Sequence, residues 1–393
     1  MQGGDRVHYM DNLRALAMLA GVVFHAALAC SPLMHPIWPL ADAGNAIVVD
    51  ALAWFLHLFR MPLFFVVAGY FAALLVARRG MAGLFRNRCR RVLLPLLVFT
   101  PLTLASMGWL TEQAAIDTAH PSPALAWIRG YLDQHGAMPP SLGWAHLWFL
   151  FYLMLFMVLV WVARTLELGR IGARIAALPA PALVLAMPVL LAPALAGTGV
   201  PWPAPEFFIP ALWALVFFGL YFALGYQLFH RPAMLDRMRA LAPALPIAAL
   251  ATYATLFAMT EGFTAARAAS PLPHARHALL EAAAGLWMTL WCLLAGKRWL
   301  DRKRATMRWL ADASYWVYLV HLPLLFAIQY RLLDLQMHWS VKFAIATTAT
   351  FALSFASYQW LVRPTPIGWL LDGKHYRSRQ PRSAAAVAPT QNP

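Results

Sequence analysis

An arginine and a histidine in the first apolar segment are spaced so that they share one side of a helix. Arg14 and His25 are eleven residues apart in MDNLRALAMLAGVVFHAAL. A helix rises about 1.5 Å and turns 100° per residue, so the two side chains lie roughly 16 Å apart along one face. Arginine binds phosphate or carboxylate, and histidine exchanges a proton near neutral pH. The pair predicts an anion site and a general base, although Arg14 alone would suit a membrane interface and His25 alone a packing contact.

A second arginine stands near the middle of an apolar segment, in HLFRMPLFFVVAGYF at residues 57–71. A guanidinium in hydrocarbon costs several kcal/mol, so Arg60 requires a polar interior. His57 lies one helical turn earlier, on a similar face. The alternative is a buried polar network that only fixes helix packing.

Two further segments place polar groups at a similar depth. In WLADASYWVYLVHLPLLF, Ser314, Tyr318 and His321 recur at i, i+4 and i+7 and form one polar stripe. The segment HLWFL places His146 at the outer rim of another helix. Intramembrane ionisable groups face the protein interior or a water-filled path, so the pattern predicts a polar cavity in the outer half of a bundle. We expect no metal there, because the histidines stand on different helices without a carboxylate at the same depth.

On the opposite side, RNRCRRVLLPLL at residues 86–97 ends a basic loop and begins another apolar segment. Arg88 and Arg91 stand at i and i+3, which on an α-helix makes one cationic face. Arginine binds phosphate in a bidentate manner, so the pair is suited to a phosphorylated ligand. The alternative is ordinary anchoring at the membrane surface.

The elements that position these groups are membrane helices. The chain has 393 residues, of which 61% are hydrophobic and only 12% charged, against about a quarter charged in soluble domains. The apolar residues form blocks of roughly 20, the length that crosses a bilayer. This predicts an all-α polytopic membrane protein with about ten spans, at 13–33, 48–77, 92–110, 146–163, 176–197, 207–229, 240–259, 278–295, 309–330 and 341–362.

The basic residues behind the net charge of +15 are unevenly placed among the connections between spans. Lys and Arg concentrate in every second connection, with six in 78–91 and six in 296–308, whereas the intervening connections hold very few. This positive-inside pattern places both termini and the basic loops in the cytoplasm of a multi-pass inner-membrane protein. The basic face is expected to contact anionic lipid or a phosphorylated ligand, and no nucleic acid.

The chain is expected to form one membrane domain, residues 1–365. Residues 366–393 read as a basic, disordered cytoplasmic tail that ends in SAAAVAPTQNP. The outer connection 111–145 is long enough to cover a site from outside. No internal repeat is visible, which weakly disfavours a transporter.

These motifs, in this order, resemble the acyltransferase 3 family of integral membrane acyltransferases over nearly the whole chain. The resemblance rests on MDNLRALAMLAGVVFHAAL, FRMPLFFVVAGYF, RCRRVLLP, HLWFL and SYWVYLVHLPL. Within the family, the sequence is most similar to a branch associated with succinylation of periplasmic glucans. One departure is Ala68, where the family usually has serine, and it removes no candidate catalytic group.

The resemblance implies that a cytoplasmic acyl-CoA, succinyl-CoA or acetyl-CoA, donates an acyl group to a sugar hydroxyl. No permanently bound cofactor is implied. In the family the first-span histidine is the base and arginines of the first and third spans bind the donor, which here are His25, Arg14, Arg88 and Arg91. From their depth we predict two further catalytic residues, Arg60 and His321, and three substrate-binding residues, His57, His146 and Tyr318.

Three other functions compete with glucan succinylation. The first is O-acetylation of a surface polysaccharide or lipid-linked sugar. The second, from another class, is a permease for an anionic or glycosylated substrate, with Arg60 as its anion site. The third is a non-catalytic assembly partner in an envelope complex. The two arginine-containing motifs together favour the enzyme, because a transporter has no need for both.

Overall fold

The computed structural model describes residues 7–139, 142–261 and 271–372, and over these ranges the chain is helical with no β-strand. The all-α prediction is confirmed. The α-helices of these ranges are His8–Leu28 (α1), Ile47–Arg88 (α2), Leu94–Asp117 (α3), Pro123–His135 (α4), Trp148–Thr165 (α5), Gly169–Ala176 (α6), Ala180–Leu195 (α7), Leu212–His230 (α8), Ala233–Arg237 (α9), Ala244–Met259 (α10), Pro271–Ala295 (α11), Ala305–Leu332 (α12), Trp339–Ser357 (α13) and Pro366–Asp372 (α14).

Each predicted span coincides over most of its length with one helix, namely α1, α2, α3, α5, α7, α8, α10, α11, α12 or α13. Within the described ranges, six helical segments are long and apolar enough to cross a membrane. One of them, Ile47–Asp117, contains two predicted spans. Helices α7 and α10 are apolar but have only 16 residues each. The chain is a polytopic membrane protein, and the count of ten crossings stays a prediction.

Both ends of the chain differ from the sequence prediction. Helix α1 begins at His8, five residues before the predicted span, because its polar first turns are held by the chain near residue 300. The Asn12 amide donates to the Leu300 carbonyl at 2.7 Å, and Asp301 accepts the Tyr9 N–H at 3.2 Å. At the other end, the first seven residues of the predicted tail form α14, and residues 373–393 lie outside the described ranges.

Helix α1 lies at the centre of the bundle. It packs against α12, α2 and α13, while α2 packs along its length against α8 and also against α11. Residues on α1, α2 and α12 can therefore meet although they are up to three hundred positions apart in sequence. The connection between α1 and α2 is held by a buried ion pair, in which Lys342 of α13 contacts Asp42 at 2.5 Å.

The crossing of α2 and α8 depends on two glycines. A Cβ on Gly69 would overlap the Phe222 carbonyl oxygen, and a Cβ on Gly225 would overlap the Val66 carbonyl oxygen. Small residues allow membrane helices to approach until their backbones touch, and van der Waals contact then stabilises the pair. This contact fixes α2, and with it the depth and direction of Arg60.

We predict that Gly225→Ala lowers the free energy of unfolding by about 1–3 kcal/mol, because the new methyl group forces the two backbones apart. Gly219→Ala is the matched control on the same helix, since its Cβ would meet only the Phe156 ring at an ordinary 3.6 Å. Thermal unfolding in detergent measures both variants. Equal melting temperatures for the two would show that the crossing is not tightly packed.

Candidate active site

The structure brings three of the four predicted intramembrane histidines together. His25 of α1, His146 in the 3-10 turn before α5 and His321 of α12 form what we call the histidine cluster. Ring centroids are 5.3 Å apart for His25 and His321, 4.9 Å for His146 and His321, and 6.5 Å for His25 and His146. The contact joins residues from three helices, as expected for a site in the bundle interior.

Tyr318 fixes the orientation of two members of the histidine cluster. Its main-chain carbonyl accepts the Nε2–H of His146 at 3.0 Å and the Nδ1–H of His321 at 2.8 Å. Its hydroxyl donates to the His146 carbonyl at 2.8 Å. A carbonyl can only accept, so in neutral rings the lone pairs fall on His146 Nδ1 and His321 Nε2. Both nitrogens are buried and lack hydrogen-bond partners among the described residues.

His25 differs from the other two rings. No main-chain carbonyl of the described residues fixes its tautomer, and its buried Nδ1 has no partner there. Its side chain is partly exposed, whereas His146 and His321 are buried. Of the histidine cluster, His25 is thus the ring with the freest choice of proton position and the best access. Both properties suit a group that takes a proton from a substrate.

His57 lies apart from the histidine cluster. Phe24 separates them, with its ring 5.2 Å from His25 and stacked 5.0 Å from His57. The Nε2 of His57 is 3.1 Å from the main-chain carbonyl of Trp202. Sequence spacing placed His57 near Arg60 and at the depth of the other histidines, but it could not show the phenylalanine between them.

Arg60 is 7% exposed and lies against α1. An Nη atom is 2.9 Å from where a Cβ on Gly21 would be, and the guanidinium lies 5.1 Å above the Phe24 ring. Among the described residues no carboxylate lies within ion-pair distance of Arg60, and its Nε has no hydrogen-bond partner. Because Gly21 has no side chain, the Arg60 guanidinium fits against α1 one turn from His25. A cation–π contact offsets only part of the cost of burying this charge.

The three predicted donor-binding arginines line one cavity of about 580 Å³, which we call the arginine cavity. Arg14 enters it from α1 and is 3.3 Å from Asp11. Arg88, the last residue of α2, and Arg91, three residues later, also line it. The Tyr315 hydroxyl donates to the Arg91 carbonyl at 2.7 Å and holds this segment against α12.

The local structure around the arginine pair corrects one expectation. The sequence predicted that Arg88 and Arg91 share the face of an incoming α-helix, but α2 ends at Arg88 and Cys89–Leu93 form a π-helix. A π-turn is wider than an α-turn and is frequently found at functional sites. Both side chains still reach the arginine cavity, so the wider turn changes their relative direction without separating them.

The arginine cavity extends along α1 toward the histidine cluster. Its wall includes Met18, seven residues before His25, which corresponds to about 10 Å along the helix. It also includes Phe149, whose ring is 6.4 Å from that of Tyr318. The wall beyond the arginines is largely apolar.

Two interior residues escaped the sequence analysis. Glu281 of α11 is buried and accepts the Trp202 N–H at 2.7 Å. A lone acid in the apolar segment HALLEAAAGLWMTLW was a visible signal for Glu281. Trp202 lies in a connection, and no spacing rule marks it.

Comparison with known proteins places this architecture in a family. The acyltransferase domain model of the acyltransferase 3 family matches residues 7–359, so the chain belongs to that family. It is an integral membrane acyltransferase.

Among curated relatives, glucans biosynthesis protein C of Salmonella typhi is 26% identical over 340 residues, covering 81% of this chain and 82% of the relative. Glucans biosynthesis protein C of Escherichia coli K12 is 24% identical over 396 residues, covering 97% and 98%. No solved structure gives a significant match.

We predict that Gly21→Ala lowers the rate of acyl transfer at least about tenfold. The new methyl group, 2.9 Å from the present position of Nη1, displaces the Arg60 guanidinium. Loss of the contacts of a buried charged group typically costs more than the roughly 1.4 kcal/mol that corresponds to a factor of ten. The affinity for CoA without an acyl group should be unchanged, since neither Gly21 nor Arg60 lines the arginine cavity. Gly108→Ala in α3, where a Cβ would meet no atom within 4 Å, is the control. Retained transfer in Gly21→Ala would show that the position of Arg60 does not matter for the reaction.

Proposed function

We propose that this acyltransferase moves an acyl group from cytoplasmic acyl-CoA to a hydroxyl of a periplasmic or envelope glucan, and that the acyl group is succinyl. One observation carries the proposal. Helix α1 contributes Arg14 and Met18 to the arginine cavity and His25 to the histidine cluster. A single helix thus contributes residues both to a site suited to phosphate and to a site suited to accept a proton.

The donor end follows from charge and reach. Arg14, Arg88 and Arg91 surround the arginine cavity, and guanidinium groups pair with phosphate oxygens through two parallel hydrogen bonds. The positive-inside pattern assigns this end to the cytoplasm, where acyl-CoA is made. The extended pantetheine arm covers roughly half a bilayer. It would pass along Met18 and carry the thioester to the depth of His25.

The chemistry at the histidine cluster is an acyl transfer. His25 accepts the proton of the sugar hydroxyl while its oxygen attacks the thioester carbonyl, which forms a tetrahedral intermediate. The intermediate collapses, the C–S bond breaks, and the CoA thiolate takes the proton from the His25 imidazolium. The His321 ring lies 5.3 Å from that of His25, and its Nε2, which has no partner among the described residues, would accept an N–H of the His25 imidazolium once that ring has taken up the proton. Tyr318 and His146 hold His321 in place and, in this account, position the base more than they bind substrate.

Arg60 completes the site in one of two ways. It stabilises the oxyanion of the tetrahedral intermediate, or it pairs with the free carboxylate of a succinyl group. The second role gives the buried guanidinium a counter-charge that the described residues do not supply. This favours succinyl-CoA over acetyl-CoA as the donor.

The acceptor is proposed from the relatives. Both are named glucans biosynthesis protein C, and they cover most of this chain. A glucan on the outer side of the inner membrane would approach the histidine cluster from the face opposite the arginine cavity. Partners in glucan synthesis machinery and surrounding anionic lipid would then be the protein's neighbours.

We predict that Arg60→Gln and Arg60→Lys lower succinyl transfer far more than acetyl transfer, because only the succinyl group carries a carboxylate for Arg60 to bind. Rates measured with succinyl-CoA and acetyl-CoA on the same preparation of each variant give the comparison. Arg90→Gln, which changes an exposed arginine beside the donor pair, is the control. Equal losses with both donors would reject carboxylate recognition and favour the acetyltransferase.

A further inference from the structure

The main chain of Trp202 is held from two sides by buried side chains. Its N–H donates to Glu281 Oε1 at 2.7 Å, and its carbonyl accepts from His57 Nε2 at 3.1 Å. Its indole ring lies 3.9 Å from the His57 ring and is 0% exposed. Trp202 belongs to the connection 196–211 between α7 and α8, which the predicted topology places on the outer side. We call Trp202, Glu281 and His57 the Trp202 anchor.

The Trp202 anchor contains a carboxyl group, that of Glu281, whose burial is unfavourable in free energy. Glu281 is 1% exposed, and among the described residues no lysine, arginine or histidine lies within ion-pair distance of it. Its second oxygen, Oε2, has no hydrogen-bond partner in the described ranges. Burying a carboxyl group with one unsatisfied oxygen costs stability. A hydrophobic residue would pack here at lower cost, so the hydrogen bond to Trp202 is the feature that this carboxyl group provides.

The anchor also determines the tautomer of His57. Because the Trp202 carbonyl only accepts, Nε2 of His57 carries the hydrogen and, in the neutral ring, Nδ1 carries the lone pair. That Nδ1 is buried and has no partner among the described residues. Phe24 stacks on the other side of His57 and touches His25. His57 is therefore a rigidly held hydrogen-bond acceptor one aromatic ring away from the base.

We propose that Glu281 is a positioning residue for the sugar acceptor. Through the Trp202 main chain it holds the connection 196–211 at the outer end of the bundle and keeps His57 in the tautomer whose Nδ1 can accept a hydrogen bond from an acceptor hydroxyl. The ligand class is a polyhydroxylated sugar chain, which offers many O–H donors. This inference rests on the proposed function, because it assigns the acceptor side of the same reaction.

Removal of the carboxyl group gives the first test. In Glu281→Ala the buried Trp202 N–H loses its acceptor, and we expect KM for the acceptor to rise about tenfold, the factor that one unsatisfied buried donor is typically worth. The dissociation constant for succinyl-CoA should not change. Glu281→Gln keeps an oxygen that accepts the Trp202 N–H and should recover most of the acceptor affinity. Asp133→Ala, which removes an exposed carboxylate from α4, is the control.

A double-mutant cycle separates the anchor from a general packing role. If Glu281 acts through Trp202 on His57, then Glu281→Ala and His57→Ala should raise acceptor KM by similar factors, and the double variant should add little. Independent, multiplicative losses would overturn the proposal. Where Glu281→Ala is not recovered as folded protein, Glu281→Met keeps the volume without the acceptor oxygen and enters the same cycle.

The assay distinguishes failure of this inference from failure of the proposed function. Acceptor kinetics are measured with succinyl-CoA and glucan oligosaccharides on the detergent-purified full chain. A wild-type protein that transfers neither succinyl nor acetyl groups to these oligosaccharides would overturn the proposed function, and the acceptor inference with it. An active wild type whose acceptor KM is unchanged in both Glu281→Ala and Glu281→Met would overturn the anchor alone. Equal weakening of donor and acceptor binding would assign Glu281 to folding.

Discussion

Hydrocarbon offers no hydrogen bonds, so polar side chains inside a membrane bundle must be satisfied by the protein itself. Here one main-chain carbonyl, that of Tyr318, accepts hydrogen bonds from two imidazoles. A helix carbonyl normally bonds only within its own helix, and its second lone pair becomes useful where neighbouring rings need a fixed direction. The histidine cluster depends on this arrangement, because it leaves a bare nitrogen on each of His146 and His321 and keeps both rings near His25.

The same constraint explains the arrangement along α1. Arg14 lines the arginine cavity, where the proposed donor phosphates would bind, and His25 lies in the bundle interior, where the proposed reaction would move a proton. Arg60 is brought against α1 at Gly21, where no side chain blocks it. The close α2–α8 crossing at Gly69 and Gly225 supports that approach from behind. Packing with small residues therefore permits the burial of the Arg60 charge, which the proposed reaction uses.

The sequence predicted the positions of the helices and which polar residues would share a helix face. Long apolar blocks identify membrane helices by composition, and an eleven-residue spacing places Arg14 and His25 on one side of α1 whatever the rest of the chain does. The family resemblance grouped Arg14 with Arg88 and Arg91 as donor-binding residues, and all three line the arginine cavity. Their catalytic and donor-binding roles stay predictions.

Other features depended on contacts between distant segments. The insertion of Phe24 between His25 and His57 is set by how α1 rotates against α2, which spacing within one helix does not determine. The π-helix at Cys89–Leu93 is one extra residue in a turn, and its sequence is basic and apolar like an ordinary helix end. Trp202 reaches its place because Glu281, 79 positions away, accepts its N–H. Such long-range hydrogen bonds are invisible to periodicity.

The central claim is that His25 performs the chemistry while the arginine cavity only holds the donor. One measurement tests it directly: the rate of acyl transfer and the dissociation constant for succinyl-CoA, determined on the same purified His25→Ala protein. His135→Ala, a histidine on the exposed helix α4, is the control. Our account predicts that transfer falls by about 10²–10⁴-fold, the range for losing a general base, while donor affinity is unchanged. A variant that keeps more than about a tenth of the wild-type rate, or that loses donor binding together with transfer, would contradict it.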